Sequence, residues 1–222
     1  MSAKYVAEFL GTFLFVFIAC GAAALAGGNI LITALAFGIA LAMSILLFGP
    51  VSGGNFNPAV SAGLAVTGQM PYGQMVGYII AQCLGAIVAA ALLAYLIGTS
   101  TGLGASVGSL TGPFPWKAVL IEAILTFALV TAVFATAVSG TSTLVTAIAV
   151  GGVLLVAVLF AGTLTGASLN PARSLGPALF TGNMGSYWIY LLGPMIGGIL
   201  AAIVYWKFFI PGKVCGKVDF GC

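Results

Sequence analysis

"TGASLNPARSLGPA" spans Thr165–Ala178, and one triplet inside it, Asn170-Pro171-Ala172, already occurs at Asn57-Pro58-Ala59. The stretch also carries Arg173, one of six basic residues against three acidic ones in 222. The chain is 62% hydrophobic and 4% charged, with a mean hydropathy of +1.25. A soluble domain carries about 25% charged residues, and so few charged side chains cannot cover a water-facing surface. The surface must face lipid. An arginine at membrane depth is costly and by default marks a functional position, so the fold is read outward from this stretch.

A helix needs about 20 apolar residues to cross the hydrocarbon core. Six stretches qualify: Tyr5–Ala26, Ile30–Gly49, Tyr72–Ile97, Trp116–Ser139, Thr143–Gly162 and Ser186–Phe209. The first starts beside Lys4, is as long as a full span and lacks a cleavage site, so it reads as a retained helix and not a signal peptide. Six is even, which returns the C-terminus to the side of the N-terminus. Lys4 at one end and Lys207, Lys213 and Lys217 at the other make that side cytoplasmic.

Two apolar pieces are too short to span. Pro58–Thr67 would cover roughly 15 Å as a helix, and Pro171–Thr181 is hardly longer. Each opens with Asn-Pro, a favoured N-cap followed by a favoured first helical residue. Each ends in Thr-Gly, and glycine suits the left-handed residue that follows a helix. These are two half-helices that start inside the membrane.

The rest of the chain repeats around them. "AEFLGTFLFVF" (Ala7–Phe17) aligns with "IEAILTFALVT" (Ile121–Thr131), which sets Glu8 on Glu122, and "AQCLGA" (Ala81–Ala86) aligns with "GPMIGG" (Gly193–Gly198). The expected fold is a single all-α membrane domain, residues 1–222, built from two halves at about 1–110 and 111–222 around a central pore. Each half holds three spans and one half-helix. Three is odd, so the second half enters from the opposite face and the halves are inverted. The half-helices then meet N-terminus to N-terminus near the midplane. Non-helical backbone at that depth must be buried in protein or line a wet cavity, a part suited to Ser52–Phe56 and Thr165–Leu169.

Composition excludes other chemistry. No histidine is present, so the common Ser-His pairs, zinc sites and proton shuttles are not available. An enzyme is not expected, nor a metal, a cofactor or a nucleic-acid partner. Cys20 and Cys83 read as small apolar residues within helices. Cys215 and Cys222 are close enough in sequence for a disulfide, but spacing does not establish one. Small residues at four-residue spacing, Ala81/Gly85 and Gly193/Gly197, suggest close helix packing.

Two Asn-Pro-Ala triplets opening inverted half-helices, the second continuing as Asn-Pro-Ala-Arg, together with Glu8 and Glu122 in the first helix of each half, resemble the aquaporin and glycerol-facilitator family. The resemblance covers nearly the whole chain. It implies a passive channel in the plasma membrane, assembled as a homotetramer. In such pores an arginine and the positive ends of the half-helices repel cations and protons, which is the accepted account for aquaporins and not a deduction from this chain. Asn57 and Asn170, in the motifs Asn57-Pro58-Ala59 and Asn170-Pro171-Ala172, would offer amide donors to passing water. Gly53, Gly54, Asn55 and Phe56, with Gly166, Ala167, Ser168 and Leu169, would offer a ladder of carbonyl acceptors. Glu8 and Glu122 would accept bonds from the backbone of their loops.

By the same resemblance Arg173 forms the narrowest constriction with Phe37, Val158 and Ala167. Strict water channels of the family usually carry histidine where this chain has Val158, so this filter is expected to be wider and less polar. Glycerol facilitators usually carry aspartate and lysine where Ser174 and Ala178 stand. Tyr190 looks like a water channel's residue and Leu191 like a glycerol facilitator's, while Asn55 stands where many members have histidine. The filter quartet is most similar to archaeal-type aquaporins. The expected cargo is water in single file with small neutral solutes such as glycerol. The alternatives are another small neutral solute or a gas, or a proton-coupled transporter, which would need a titratable site at the midplane.

Overall fold

The computed structural model describes residues 3–210. Cys215, Cys222, Lys213 and Lys217 lie outside the described residues. Every regular element among the described residues is helical: α1 (Ala3–Leu25), α2 (Ile30–Ser52), α3 (Pro58–Val66), α4 (Tyr72–Ile97), α5 (Pro115–Val133), α6 (Thr143–Ala161), α7 (Pro171–Thr181) and α8 (Tyr187–Phe209). Six of them are long and apolar enough to cross a membrane, counting the extensions of α5 to Val138 and of α8 back to Asn183. The short α3 and α7 are the two pieces that open with Asn-Pro. The chain is a multi-pass, all-α membrane protein.

The polarity of a soluble protein is reversed here. Ile39, Ile124, Val156 and Leu200 point outward, whereas Glu8, Gln82, Glu122, Asn57, Asn170 and Arg173 are buried. With lipid outside, apolar side chains lose nothing by exposure, and the polar groups gather where they find one another.

Helix contacts depend on missing side chains. A Cβ on Gly85 of α4 would strike the Phe9 carbonyl of α1, and one on Gly197 of α8 would strike the backbone of Ala123 in α5. The small-residue pairs read from the sequence therefore mark real close approaches. The short helices cross between the halves of the sequence. α3 packs chiefly on α8, and α7 on α4, where Gly176 lies against the Ala86 carbonyl.

Most helix ends lie within two residues of expectation, and two depart further. α2 continues past Gly49-Pro50 to Ser52, where a left-handed Gly53 (φ 90°) ends it. The last turn survives the proline because the Ser52 hydroxyl donates to Glu8 at 2.7 Å and the Ser52 carbonyl accepts from the Tyr78 hydroxyl at 2.7 Å. The end of α5 widens into a π-turn over Phe134–Val138. The α4–α5 connection, left unread in the sequence, folds inward. Ser109 and Leu110 donate to the carbonyls of Thr163 and Leu164, each at 3.0 Å, which lays this connection along the segment leading into α7.

Candidate functional site

Two helix starts meet inside the protein. Asn57 caps α3, its Oδ1 accepting from the Ala59 amide at 2.9 Å. Asn170 caps α7, accepting from the amides of Ala172 at 3.0 Å and Arg173 at 3.2 Å. Pro58 and Pro171 follow as first helical residues, where the missing amide hydrogen costs nothing. Ala59 and Ala172 are wholly buried. Each asparagine also reaches across: Asn57 Nδ2 donates to the Leu169 carbonyl at 2.8 Å, and Asn170 Nδ2 to the Phe56 carbonyl at 2.7 Å. A carboxamide nitrogen has two hydrogens, so each keeps one for another acceptor.

The loops before these caps have unusual backbones. Gly53, Gly54 and Phe56 have φ of 90°, 68° and 49°; Gly166, Ala167 and Leu169 have 87°, 40° and 55°. Such angles are rare for side-chain-bearing residues and cost of order 1–3 kcal/mol each. The two glutamates hold them. Glu8 Oε1 accepts from the Ser52 hydroxyl and the Asn55 amide (3.0 Å), and Oε2 from the Phe56 amide (2.8 Å). Glu122 Oε1 accepts from the Thr165 hydroxyl (2.7 Å) and the Ser168 amide (3.0 Å), and Oε2 from the Leu169 amide (2.8 Å). Tyr78 and Tyr190 complete the match, donating to the Ser52 and Thr165 carbonyls. The pattern departs at one bond. Gln82 Nε2 gives Glu8 Oε2 a fourth donor at 2.7 Å, whereas Pro194 occupies the corresponding position of the repeat.

Both asparagines line one narrow cavity of about 20 Å³, with Gly53, Gly54, Asn55, Ser168 and Leu169 on its polar side and Phe15, Leu41 and Leu154 on its apolar side. Phe56 and Ala167 line neither this cavity nor the next. The Phe56 and Leu169 carbonyls, expected to form part of the acceptor ladder, each already accept one bond from the opposite asparagine. A carbonyl has a second lone pair, so that bond does not exhaust either.

Arg173, Val158 and Gly166 line a second cavity, of about 280 Å³, with Thr33 and Thr163. The guanidinium carbon of Arg173 lies 4.4 Å from the Phe37 ring centroid. Phe37 in turn meets Phe15 edge-on at 6.0 Å. It therefore links a side chain of the second cavity, Arg173, to one of the first, Phe15. Phe37, Val158, Ala167 and Arg173 expose at most 2% of their surfaces.

Sequence reasoning missed Ser106. Its hydroxyl accepts from Arg173 Nη1 at 2.5 Å and bonds the Ser174 hydroxyl at 2.6 Å. Neither periodicity nor the repeat could point to a residue in an irregular connection. Gln82 was missed too, although a polar residue in an otherwise apolar span was a signal.

Known proteins share this architecture. The family model described as "Major intrinsic protein" matches residues 1–205. The glycerol uptake facilitator protein-like 6 of Lactiplantibacillus plantarum is 39% identical, the match covering 90% of this chain and 94% of that protein. Aquaporin Z of Rhodopseudomonas palustris is 34% identical over 91% of each. The X-ray structure of the aquaglyceroporin from Plasmodium falciparum superposes with a TM-score of 0.80 at 26% identity, covering 94% of this chain and 97% of that one. The doubled Asn-Pro-Ala helix starts and the match along nearly the whole chain lead to one conclusion: the chain belongs to the major intrinsic protein family.

Proposed function

We propose that this protein is a passive channel that conducts water in single file, together with small neutral solutes such as glycerol, and excludes ions and protons. The observation that carries the reading is the exchange of side-chain bonds between Asn57 and Asn170 at two helix N-termini beside one buried cavity. Each N-terminus contributes about half a positive charge. Two of them at one point in a low dielectric oppose any cation, while a neutral molecule meets only hydrogen-bonding groups. The free hydrogen of each asparagine amide turns a passing water so that its own hydrogens point away, which interrupts a proton wire.

Phe37, Val158, Ala167 and Arg173 form the selectivity filter in this reading, supported by their burial, by the contact of Arg173 with the Phe37 ring and by the cavity that Arg173 and Val158 share. With valine in place of a polar aromatic donor, the filter admits glycerol besides water. Glu8 and Glu122 support the loops; the carbonyls of Gly53 to Phe56 and Gly166 to Leu169 line the path. The inverted halves, about 1–110 and 111–222, find support in the matched φ angles and glutamate bonds. The protein is placed in the plasma membrane with cytoplasmic termini and, after its family, as a homotetramer in the bilayer. Against a proton-coupled transporter stands the setting of the two glutamates. Backbone amides and hydroxyls donate to both oxygens of each, which gives both carboxylates a structural task at the loops. Carriage of another neutral solute or a gas is the second reading, favoured by the apolar side of the first cavity.

Stopped-flow shrinkage of proteoliposomes under a non-permeant osmolyte tests the proposal. Water flux well above that of protein-free vesicles, with low activation energy, is expected, followed by glycerol-driven reswelling. Shrinkage at the control rate would overturn the water-channel reading.

A further inference from the structure

The arginine of the proposed filter is held by a serine hydroxyl. Ser106, in the connection between α4 and α5, is buried, as are Ser168 and Ser174. Their hydroxyls form one chain: Arg173 Nη1 to Ser106 at 2.5 Å, Ser106 to Ser174 at 2.6 Å, Ser174 to Ser168 at 2.5 Å, and Ser168 to the Asn170 carbonyl at 2.9 Å. The direction of this chain is forced. A guanidinium only donates and a carbonyl only accepts, while each hydroxyl has a single hydrogen. Ser106 must therefore pass its hydrogen to Ser174, Ser174 to Ser168, and Ser168 to Asn170. A lone pair of Ser106 is thus turned permanently toward Arg173. The arginine has little else to hold it: Nε is buried without a partner, and the Phe37 ring offers only its face.

We infer that Ser106 is a positioning residue for the selectivity filter: its hydroxyl, polarised by the one-way chain through Ser174 and Ser168 to the Asn170 carbonyl, holds the Arg173 guanidinium against Phe37 and thereby sets which solutes pass. The inference rests on the filter reading above. It also ties the filter to the Asn170 helix start through four consecutive hydrogen bonds, so a change at either end is felt at the other. Without the Ser106 acceptor the guanidinium loses the one side-chain bond that fixes its position, leaves the Phe37 face to regain an acceptor, and widens the waist.

The test is the ratio of glycerol to water permeability in proteoliposomes, which does not depend on how many channels insert. Ser106→Ala is expected to raise this ratio about tenfold, the low end of what one pocket contact is worth in discriminating similar small molecules. Ser174→Ala, which leaves Ser106 in place but removes the acceptor of its hydrogen, is expected to raise it less. Both substitutions should have no effect on the ratio when Arg173 is already Val, because they act only through the arginine. A parental ratio in Ser106→Ala, or a shift that persists undiminished in the Arg173→Val background, overturns the inference. Should Ser106→Ala fail to insert, a parental ratio in Ser174→Ala does the same. Failure of the filter reading is a separate outcome, in which Arg173→Val itself keeps the parental ratio.

Discussion

Asn57 and Asn170 are each bonded to the loop that presents the other, through the Leu169 and Phe56 carbonyls at 2.8 and 2.7 Å. Neither half-helix start is therefore an independent structure. Each cap positions itself with its oxygen and its partner's loop with its nitrogen, so one residue type performs both tasks only if it carries an acceptor and a donor on the same carbon. Asparagine does; aspartate, serine and threonine, otherwise good caps, do not in this geometry.

That division of labour predicts the outcome of Asn57→Asp. The capping oxygen remains, but the second oxygen faces the Leu169 carbonyl and repels it. A loss of about 1–3 kcal/mol is expected, the penalty for a buried polar group without its partner. An ionised aspartate would also offset the positive ends of the two helices, so cation conductance should rise. Thermal unfolding in detergent checks the first outcome and current across planar bilayers the second. A variant as stable and as ion-tight as the parent would remove the significance of the cross-bond.

The glutamates invite a graded comparison. Glu8 accepts two backbone amides, a hydroxyl and Gln82. Glu8→Gln places an NH2 group against at least one backbone N–H in either orientation, because each carboxylate oxygen accepts one. The positive-φ loop then loses part of its restraint. A destabilisation of about 2–4 kcal/mol is expected, with water flux falling as the loop relaxes. Gln82→Ala removes one donor to Glu8 and one to the Ser61 hydroxyl but leaves Glu8 with a set like that of Glu122, so it should cost less, about 1–2 kcal/mol. The order of the two melting temperatures is the measurement. The reverse order would show that Gln82, and not the loop amides, dominates the site.

Val158, which lines the second cavity with Arg173, tests the filter at a different side chain. Val158→His adds bulk and a donor at the edge of the second cavity, and glycerol flux should fall more than water flux in the same vesicles. Equal losses would place the discriminating waist elsewhere along the path.

The sequence was informative wherever a local rule was strong. Six long apolar runs, two Asn-Pro starts and the Glu8/Glu122 alignment required no tertiary knowledge, and the boundaries of α7 were read to the residue. α2 overran its expected end because Ser52 is held by Glu8 and Tyr78, both distant in sequence, which outweighs the proline signal. Ser106 was out of reach for a related reason. It earns its place through Ser109 and Leu110, which align the connection with Thr163 and Leu164, and no periodicity encodes such pairing. The direction of the hydroxyl chain needed coordinates as well, since it follows from what lies at each end.

Glycine positions provide the last prediction, because here two chemically identical changes should act in opposite directions. A Cβ at Gly197 meets the Ala123 backbone, with Ala123 Cα at 2.9 Å, and backbone cannot rotate away as a side chain can. Gly197→Ala must therefore push α8 off α5, the close contact of small residues that membrane helices use to associate. A Cβ at Gly152 of α6 meets nothing within 4 Å, so Gly152→Ala only removes chain flexibility, which is worth up to about 1 kcal/mol in favour of the helix. The expected result is a lower melting temperature for Gly197→Ala and an equal or higher one for Gly152→Ala. Equal losses in both would mean that α5 and α8 tolerate separation and that their close approach does not govern stability.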